Sequence, residues 1–401
     1  MRILLIHQAF VSPDEAGGTR HFELARRLVE RGHDVTIIAS SLSYLSGERR
    51  DGPKTEVYDG VEVIRVWTYS GLHTSFLHRI VSFVSFMSSA FLRGLFVKNI
   101  DIVWGTSPPI FQAVAAGILA SVRRKIFLLE VRDLWPEFAI DMGVISNPVA
   151  IWGGRLMERF LYWKADKIVV NSPAYRDYLM QRGIQGETVS VVSNGVDTSM
   201  FDPKENGNWI RDKYDLQSSF VVTYAGAIGL ANDLSTLLDA AALLADTKEI
   251  HILIVGDGKE RRNLIELSRL QGLKNVTWVG AVPKSAVGEY LGASDACLAI
   301  LMDIPMFKTT YPNKVFDYMA AGRPTLLAID GVIREVIEDA EGGVFVKPGD
   351  SKALAAEILA LSRDRELVAK MGRQARKYVT EHFERSKQCD VFHSLLESLK
   401  N

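Results

Sequence analysis

Apolar residues in this chain gather in short runs, most of them without alternation, and segments with helical spacing follow several of these runs. An apolar run without alternation is typical of a strand buried on both faces of a parallel sheet. Such strands are predicted at residues 2–6, 35–39, 61–66, 102–105, 125–131, 167–171, 189–192, 220–224, 251–255, 276–279, 294–300, 325–328 and 344–346. Strands that alternate with helices indicate an α/β fold.

The order of elements at the start of the chain is repeated in its second half. Two glycines, Gly17 and Gly18, follow the first predicted strand and precede a predicted helix. Gly226 and Gly229 stand in the same place after the first strand of the second half. Strand, glycine loop and helix make one Rossmann-like unit. A chain of 401 residues is long enough for two such domains.

The most informative stretch is residues 305–324, PMFKTTYPNKVFDYMAAGRP, which predicts a loop leading into a helix. Asn313 is a helix-start residue, because its short side chain can accept a hydrogen bond from a free backbone N–H group. The helix N-terminus, with Lys308 and Lys314 beside it, suits an anion such as a phosphate. Asp317, one turn further along, is a candidate for binding hydroxyl groups.

This stretch resembles the nucleotide-sugar signature of the retaining glycosyltransferases of family four. Their pattern is Glu, seven residues, Glu, and then a Met-Ala-x-Gly-x-Pro run. The second acidic position falls on Asp317, and MAAGRP follows at residues 319–324. The first falls on Thr309, which is not acidic. Lys314, three residues before the second acid, makes the stretch similar to the branch that builds bacterial surface polysaccharides, such as O-antigen, colanic acid and N-acetylfucosamine transferases.

The resemblance implies the GT-B fold, an α/β architecture in which two Rossmann-like domains with parallel sheets face a central cleft. Residues 1–200 are then expected to bind the acceptor, and residues 201–380 the nucleotide sugar. Residues 381–401 are expected to form a helix that crosses back to the first domain. The implied reaction moves a hexose or N-acetylhexosamine, with retention, from a nucleoside-diphosphate sugar, expected to be UDP-linked. The implied acceptor is a lipid-linked or other saccharide.

The resemblance also assigns residues of the second half to the donor. The loop with Gly226 and Gly229 is expected to cradle the diphosphate, since a glycine loop before a helix presents backbone N–H groups. Many relatives carry Arg and Lys in this loop, whereas residues 226–233 contain no cation. Lys314 is therefore expected to carry more of the phosphate charge, and Asp317 to hold ribose hydroxyls. The donor-site residues so predicted are Gly226, Gly229, Gly256, Lys308, Asn313, Lys314 and Asp317.

In the first half, the strand at 125–131 leads into a polar and aromatic strand end. Arg132 and Asp133 occupy positions where members of the family often carry His-Asp. The resemblance implies that Asp133 orients or deprotonates the acceptor hydroxyl and that Arg132 holds phosphate. Glu137 is a further candidate for the acceptor site. The alternative is an Arg–Asp–Glu network that fixes a loop.

The loop of Gly17 and Gly18 corresponds in the family to one that faces the bond being made. His7 and His21 flank this loop. His21 is therefore a candidate for the acceptor site, although a lone histidine is more often structural.

Composition narrows the class of protein. A net charge of −1 provides no strong field for nucleic acid. Cys297 and Cys389 are far apart and have no metal-ligand spacing, which disfavours a disulfide framework or a cysteine zinc site and indicates a reducing, cytoplasmic setting. No DxD-type acidic cluster stands in a fitting loop, so we expect catalysis without a metal or other cofactor. The apolar run at the N-terminus is too short for a signal peptide.

One segment has the composition of a membrane-surface helix. Residues 80–92 are uncharged and lie between Arg79 and Arg93. They fall short of the ~20 residues that cross a bilayer. Phenylalanines with cations at both ends suit a helix lying on a membrane, which predicts peripheral contact through residues 79–93. The phenylalanines concerned are Phe83, Phe86, Phe91 and Phe96. The alternative is a helix packed inside the first domain, and one face could serve each role.

Two other functions remain open from the sequence. A sugar-nucleotide epimerase of the same fold would use the donor without an acceptor. A non-catalytic, glycosyltransferase-like subunit would explain Thr309 in place of the first Glu and the missing loop cations. A periplasmic-type ligand-binding module is disfavoured because no signal peptide is recognised.

Overall fold

A computed structural model describes residues 1–12, 19–43, 47–50, 52–71 and 74–400. The chain divides into two compact units. Unit 1 comprises Met1–Val192 and Cys389–Asn401, and unit 2 comprises Ser193–Gln388. The first division thus follows Val192, whereas the sequence placed it at residue 200. The segment that returns to unit 1 begins at Cys389, whereas the sequence placed it at residue 381.

Unit 1 is built on a sheet with helices between its strands. Its strands are β1 (Arg2–Ile6), β2 (Asp34–Ser40), β3 (Thr55–Tyr58), β4 (Val61–Val66), β5 (Ile102–Ser107), β6 (Ile126–Val131), β7 (Lys167–Val170) and β8 (Val189–Val191). Its helices before residue 192 are α1 (Arg20–Glu30), α2 (Phe76–Leu95), α3 (Ile110–Arg123), α4 (Glu137–Asp141), α5 (Pro148–Lys164) and α6 (Pro173–Gln181). Ser75 and Asn147 cap α2 and α5, because their side chains accept from free N–H groups of the first turn.

The strand order in unit 1 is β3-β4-β2-β1-β5-β6-β7-β8. All neighbours are parallel except β3 and β4. The order reverses between β1 and β5, so a crevice opens at the carboxyl ends of these two strands, where open α/β sheets bind ligands.

Unit 2 repeats the architecture with fewer strands. Its strands are β9 (Phe220–Ala225), β10 (Ile250–Val255), β11 (Val276–Gly280), β12 (Ala296–Ile300), β13 (Thr325–Ala328) and β14 (Gly343–Phe345). The helices after residue 192 are α7 (Asn208–Lys213), α8 (Leu234–Leu243), α9 (Arg261–Leu270), α10 (Lys284–Gly292), α11 (Asn313–Ala320), α12 (Val332–Asp339), α13 (Ser351–Arg363), α14 (Arg365–His382) and α15 (Arg385–Ser398). Most of α15 belongs to unit 1.

The sheet of unit 2 is parallel and has the order β11-β10-β9-β12-β13-β14. Its switch point lies between β9 and β12. The prediction of an α/β fold with two parallel-sheet, Rossmann-like domains is confirmed. Apolar side chains on both faces of this sheet form two buried clusters, which explains why its strands read as continuous apolar runs.

The C-terminal helix predicted at residues 381–401 is interrupted. Helix α14 ends at His382 and α15 begins at Arg385. Phe383, between them, packs on Phe316 with ring centroids 4.6 Å apart. Beyond the break, Phe392 packs on Trp104 at 4.8 Å and joins the core of unit 1. The sequence did not predict the break, because the apolar residues on both sides of it keep helical spacing. Those before the break are buried in the core of unit 2, and those after it are buried in the core of unit 1.

The start of α11 also differs in detail from the prediction. Asn313 is the first helical residue and is exposed, while Pro312 occupies the N-cap position without a side-chain hydrogen bond. Thr309 ends a short 3-10 helix, Pro305–Thr309, and its hydroxyl donates to the carbonyl oxygen of Met306 at 2.6 Å. The N–H groups at the start of α11 therefore receive no side-chain cap.

Candidate functional sites in the two units

Three strand ends of unit 2 are tied together by backbone hydrogen bonds. The Gly226 N–H donates to the Val255 carbonyl at 2.9 Å, and the Gly256 N–H donates to the Gly280 carbonyl at 2.8 Å. These bonds align the ends of β9, β10 and β11 beside the switch point. The first glycine loop is thereby held as a fixed edge for a ligand.

The glycines in these loops differ in how much space a side chain would have. A Cβ on Gly256 would lie 1.9 Å from the carbonyl oxygen of Gly226, and one on Gly258 would lie 2.3 Å from that of Ile228. Gly256 also has φ +142, a backbone conformation that favours glycine. Gly229, in contrast, has φ −118, and a Cβ there would approach only the Asn232 amide nitrogen, at 3.8 Å. The close approach of two backbones requires Gly256 but not Gly229.

Lys314 lies in the first turn of α11 and points at the glycine loop. Its Nζ lies 2.7 Å from the Tyr224 hydroxyl and 2.9 Å from Asn232 Oδ1. A Cβ on Gly226 would lie 3.1 Å from the same nitrogen. The Lys314 residue is half-buried, and the loss of water around its ammonium lowers the pKa to about 7. A cation with few partners of its own therefore stands at the helix N-terminus beside the loop.

Helix α11 is hydrogen-bonded to the end of β9 through one hydroxyl group. The Tyr318 hydroxyl accepts a hydrogen bond from the Ala225 N–H at 3.0 Å and donates to the Ala225 carbonyl at 3.0 Å. Tyr318 is buried. The spacing between Lys314 and the glycine loop is therefore set by the fold.

Asp317 follows Lys314 by one turn and is part of an ion pair. Its Oδ2 contacts Lys284 Nζ at 2.5 Å. Lys284 belongs to α10 and also lies over the ring of Phe201, with Nζ 5.4 Å from the centroid. The carboxylate remains partly exposed, so it can still accept from a hydroxyl group.

Lys308 is engaged elsewhere in unit 2. Its Nζ lies 3.2 Å from Asp330 Oδ2 and 3.7 Å from Asp303 Oδ1. These carboxylates, Asp330 first, raise the pKa of Lys308. The sequence grouped Lys308 with Lys314, but two acids already neutralise Lys308, whereas hydroxyl and amide oxygens surround Lys314.

In unit 1, a buried carboxylate organises the switch point. Glu130 Oε2 lies 2.7 Å from His21 Nε2, and Glu130 Oε1 lies 3.2 Å from Arg20 Nε. Burial acts to raise the pKa of Glu130, but His21, Arg20 and Arg132 outweigh it and hold that pKa far below its usual range. Glu130 therefore stays ionised and fixes the His21 ring.

His7 follows β1 and is enclosed beside this pair. Its ring centroid lies 4.2 Å from that of His21, and both its ring nitrogens are buried without a hydrogen bond in the described part of the chain. Burial, followed by the charges of His21 and Arg132, lowers the pKa of His7 well below its usual value. His7 is thus a neutral ring at neutral pH.

Arg132 and Asp133 lie at the end of β6. Arg132 Nε donates to Thr106 Oγ1 at 2.9 Å, and its NH2 group donates to the Pro108 carbonyl at 2.7 Å. These bonds hold the guanidinium across the end of β5. Asp133 is an exposed residue, yet loss of water around its carboxyl raises the pKa of that group to about 6, against the opposing charge of Arg132. Asp133 can therefore exchange a proton near neutral pH.

Glu137 is held by ion pairs on the side of α4. Its carboxylate lies 2.9 Å from Arg155 Nε and 3.4 Å from the NH2 group of Arg182. Burial acts to raise the pKa of Glu137, but Arg155 and Arg182 lower it overall. Glu137 thus pairs with Arg155 and Arg182 and not with Arg132, so its ion-pair network differs from the Arg–Asp–Glu network considered in the sequence analysis. Gly17 and Gly18 lie outside the described residues.

The sequence reasoning missed three contributors to these sites. Glu130 was hidden within a predicted strand, although a lone charge in an otherwise apolar run is a signal that could have revealed it. Tyr224 was assigned only to a strand, and Lys284 was not considered at all. The residues next to them in the sequence do not indicate this role, because Tyr224 and Lys284 contact α11 only once the chain is folded.

A comparison with known families and proteins agrees with this architecture. Residues 16–195 match the family described as "Glycosyl transferase 4-like domain", and residues 208–378 match "Glycosyl transferases group 1". The chain carries the two domains of a GT4-type glycosyltransferase. The chain is 27% identical over 209 residues to the putative glycosyltransferase EpsD of Bacillus subtilis (strain 168), a match that spans 50% of this chain and 53% of EpsD, about half its length.

Two further matches extend along almost the whole chain. The N-acetyl-alpha-D-glucosaminyl L-malate synthase of Bacillus anthracis is 21% identical over 385 residues, which cover 94% of each chain. The crystal structure of HepE from Anabaena in complex with UDP superposes with a TM-score of 0.73 at 18% identity, over 99% of this chain and 100% of that one. At such identity the structural match establishes the fold.

The surface helix predicted at 79–93 is part of α2 and has two different faces. Phe86 and Ala90 are buried, and Phe83 stacks on Phe111 with centroids 5.7 Å apart. Apolar side chains on the other face are exposed: Leu77, Val81, Val84 and Leu92, with Phe96 after the helix end. Within the described ranges, no helix has the length and apolar character needed to cross a bilayer.

Proposed function

We propose that this glycosyltransferase moves a sugar, with retention, from a UDP-linked donor to a hydroxyl group of a saccharide acceptor. The observation that carries the proposal is the position of Lys314. Its ammonium stands at the N-terminus of α11, beside Gly226 of the glycine loop. A helix N-terminus and a cation together favour a diphosphate. UDP in the related HepE structure supports the choice of nucleotide.

In the proposed reaction, the bond between the anomeric carbon and the diphosphate oxygen breaks, and a bond to the acceptor oxygen forms on the same face. Negative charge grows on the departing diphosphate. Lys314 and the N–H groups at the start of α11 bind that charge more strongly in the transition state than in the donor, which lowers the barrier. The acceptor proton leaves by way of Asp133 and ends on the departing phosphate. Catalysis is proposed to proceed without a metal, since these groups supply positive charge.

Residues of unit 1 are proposed to position the acceptor. Asp133 would accept a hydrogen bond from the reacting hydroxyl, and a pKa of about 6 leaves most of it ionised at neutral pH. Arg132 is held across the end of β5 and offers positive charge for an acceptor phosphate. The His21–Glu130 pair borders the same switch point and keeps its shape. Asp317 is proposed to bind donor ribose hydroxyls beside Lys284.

The acceptor is proposed to be a lipid-linked saccharide at the cytoplasmic face of a membrane, as in surface polysaccharide synthesis. Helix α3 contacts both α2 and α5, so exposed apolar residues of these helices lie on one side of the unit 1 sheet. We call this the aromatic face, which consists of Leu77, Val81, Val84, Leu92, Phe96, Ile118, Val122, Val149, Trp152, Leu156 and Trp163. Trp152 and Trp163 are 66% and 78% exposed.

The chemistry of the aromatic face suits the surface of an anionic bilayer. Indole rings favour the boundary between lipid and water. Arg79 and Arg159, exposed on α2 and α5, would attract anionic headgroups. Phe86, which the sequence pattern placed among the membrane-facing residues, is buried and serves the fold. Peripheral contact is therefore proposed for the outer faces of α2 and α5.

A binding screen followed by a transfer assay tests the proposed reaction. UDP-, GDP-, ADP- and dTDP-sugars are added to the purified chain, and its Tm is measured. We expect a rise with UDP-sugars that is lost in Lys314→Ala. The same donors are then incubated with saccharide acceptors, and the anomeric configuration of the product is determined. Inversion, or free epimerised donor without transfer, would contradict the proposal. Binding without turnover until a partner protein is added would favour a non-catalytic subunit.

A further inference from the structure

Two histidines and a glutamate from distant parts of the sequence meet within unit 1. His33 lies immediately before β2 and is 5% exposed. His393 and Glu397 lie one turn apart on the same side of α15. One ligand atom from each of the three residues can be chosen so that all lie within 4.8 Å of one another.

The buried histidine has one ring nitrogen engaged and one directed into the cluster. His33 Nδ1 lies 3.2 Å from the amino nitrogen of Met1. His33 Nε2 lies 3.4 Å from Glu397 Oε1 but has no hydrogen bond there. A buried polar atom without a hydrogen bond costs free energy, so its retention calls for a partner. A metal on Nε2 leaves the ring proton on Nδ1, so the Met1 amine would then accept that hydrogen bond in its neutral form, which gives the second contact usual for a metal-bound histidine.

Glu397 divides its two oxygens between two kinds of partner. Its Oε2 lies 2.7 Å from Lys400 Nζ, at the rim of the cluster. Its Oε1 faces both histidines, 3.4 Å from His33 Nε2 and 4.0 Å from His393 Nε2. One carboxylate oxygen is therefore available between the two rings.

The spacing fits a small transition-metal ion. Zinc–nitrogen and zinc–oxygen bonds of about 2.1 Å in a tetrahedron place neighbouring ligand atoms about 3.4 Å apart. The pair of His33 Nε2 and Glu397 Oε1 already has this separation. His393 Nε2 lies 4.0 Å from the same oxygen, so its partly exposed ring would have to move about half an ångström closer to join them in a tetrahedron. Two imidazoles and a carboxylate suit zinc and similar ions, with water as the fourth ligand.

We propose that His33, His393 and Glu397 form a binding site for one zinc-class divalent metal ion. The metal would join α15 to the residues just before β2. None of the three residues belongs to the proposed donor or acceptor sites, so the site is structural. Local sequence spacing does not reveal this site, because His33 lies more than 300 residues before His393 and Glu397.

The test uses the full chain, without an affinity tag, after treatment with a chelator. Co²⁺ is the probe, since its visible absorption reports coordination, and Zn²⁺ is then added in competition. We expect one ion per chain and an intense visible band typical of tetrahedral Co²⁺. His393→Ala and Glu397→Gln are expected to weaken binding at least tenfold. His382→Ala, a change at an exposed histidine near the end of α14, is the matched control and should bind as the parent does.

Thermal unfolding gives a second readout that does not depend on activity. Zn²⁺ should raise the Tm of the parent chain and of His382→Ala, but not that of His393→Ala, because an ion that binds only the folded state stabilises it. Absence of one-to-one binding at micromolar metal would overturn the proposal. Equal affinity in the parent and in both cluster variants would overturn it as well, since binding would then lie elsewhere.

Discussion

Lys314 is held by Tyr224 in two ways, since its ammonium nitrogen lies 2.7 Å from the hydroxyl oxygen and 4.2 Å from the ring centroid. Tyr224 is in β9 and Lys314 is in α11, so the contact joins the strand to the helix at the switch point of unit 2. The Tyr224 hydroxyl carries no negative charge at neutral pH, because burial raises its pKa above the usual value. Tyr224 therefore orients the ammonium group without neutralising it.

Lys314 is expected to contribute far more to donor binding than Lys308. Lys314→Ala should raise the Kd for UDP about 10- to 100-fold, since a hydrogen bond to a charged group contributes ~1.5–3 kcal/mol. Lys308→Ala is the matched control and should change Kd less than about threefold, because Asp303 and Asp330 already neutralise that lysine. Calorimetric titration measures both, and Tm confirms folding. Equal losses would show that both lysines contact the diphosphate.

Donor affinity is expected to decrease as the pH rises above 7. The pKa of Lys314 is lowered to about 7, so the free protein loses this charge above neutral pH. A bound diphosphate favours the charged amine and raises its pKa, so binding takes up a proton in that range. Affinity for UDP-glucose, which does not titrate there, should fall up to about tenfold per pH unit. Titrations between pH 6 and 9 test this, and Lys314→Met should remove the slope.

The loops after β9 and β10 are expected to differ in their tolerance of a side chain in place of glycine. Gly256→Ala places a Cβ 1.9 Å from a backbone oxygen of Gly226, so one loop must move. We expect the free energy of unfolding to fall by ~1–3 kcal/mol and UDP binding to weaken. Gly229→Ala is the control, with φ −118 and open space, and should preserve both. Chemical denaturation provides the measurement, and a stable Gly256→Ala protein would contradict the packing argument.

Asp133 is expected to act in transfer but not in donor binding. Asp133→Asn should slow transfer at least about 100-fold, the scale of positioned acid–base groups, while the Kd for UDP stays unchanged. The parent rate should rise with pH through about 6, as the carboxylate forms. Glu137→Gln disturbs a mainly structural ion-pair network and should retain most of the rate. A fully active Asp133→Asn would assign the proton transfer to the departing phosphate alone.

The aromatic face is expected to bind vesicles that contain anionic lipid. Replacing Trp152 and Trp163 with Asp should release the protein in a co-sedimentation assay, because both rings are exposed and the new charges repel the headgroups. Leu270→Asp, at a residue of unit 2 that is 75% exposed, is the control and should not change binding. Sedimentation of the double variant with the vesicles would exclude this face. Phe86→Asp is unsuitable, since it would bury a charge in the core.

The sequence was most informative where a pattern is local. Apolar runs located every described strand except β3, whose residues alternate between exposed and half-buried, and a cation in the first turn of a predicted helix made Lys314 a candidate phosphate ligand. Local pattern failed for residues whose partners are distant in sequence. Lys284 contacts Asp317 from a different helix, and Asp330 contacts Lys308 from the residues that follow β13. In α2, apolar residues occur on both faces, so helical spacing alone did not show that Phe86 points inward.

The packing of Phe392 on Trp104 has a consequence for how the chain is made. Residues 193–388 must leave the ribosome before the last part of the unit 1 core exists. Domains usually fold in order of synthesis. Here the second unit can reach its native state while the first still has an open cavity beside Trp104. The N-terminal unit is thus finished last, by a segment translated after its neighbour.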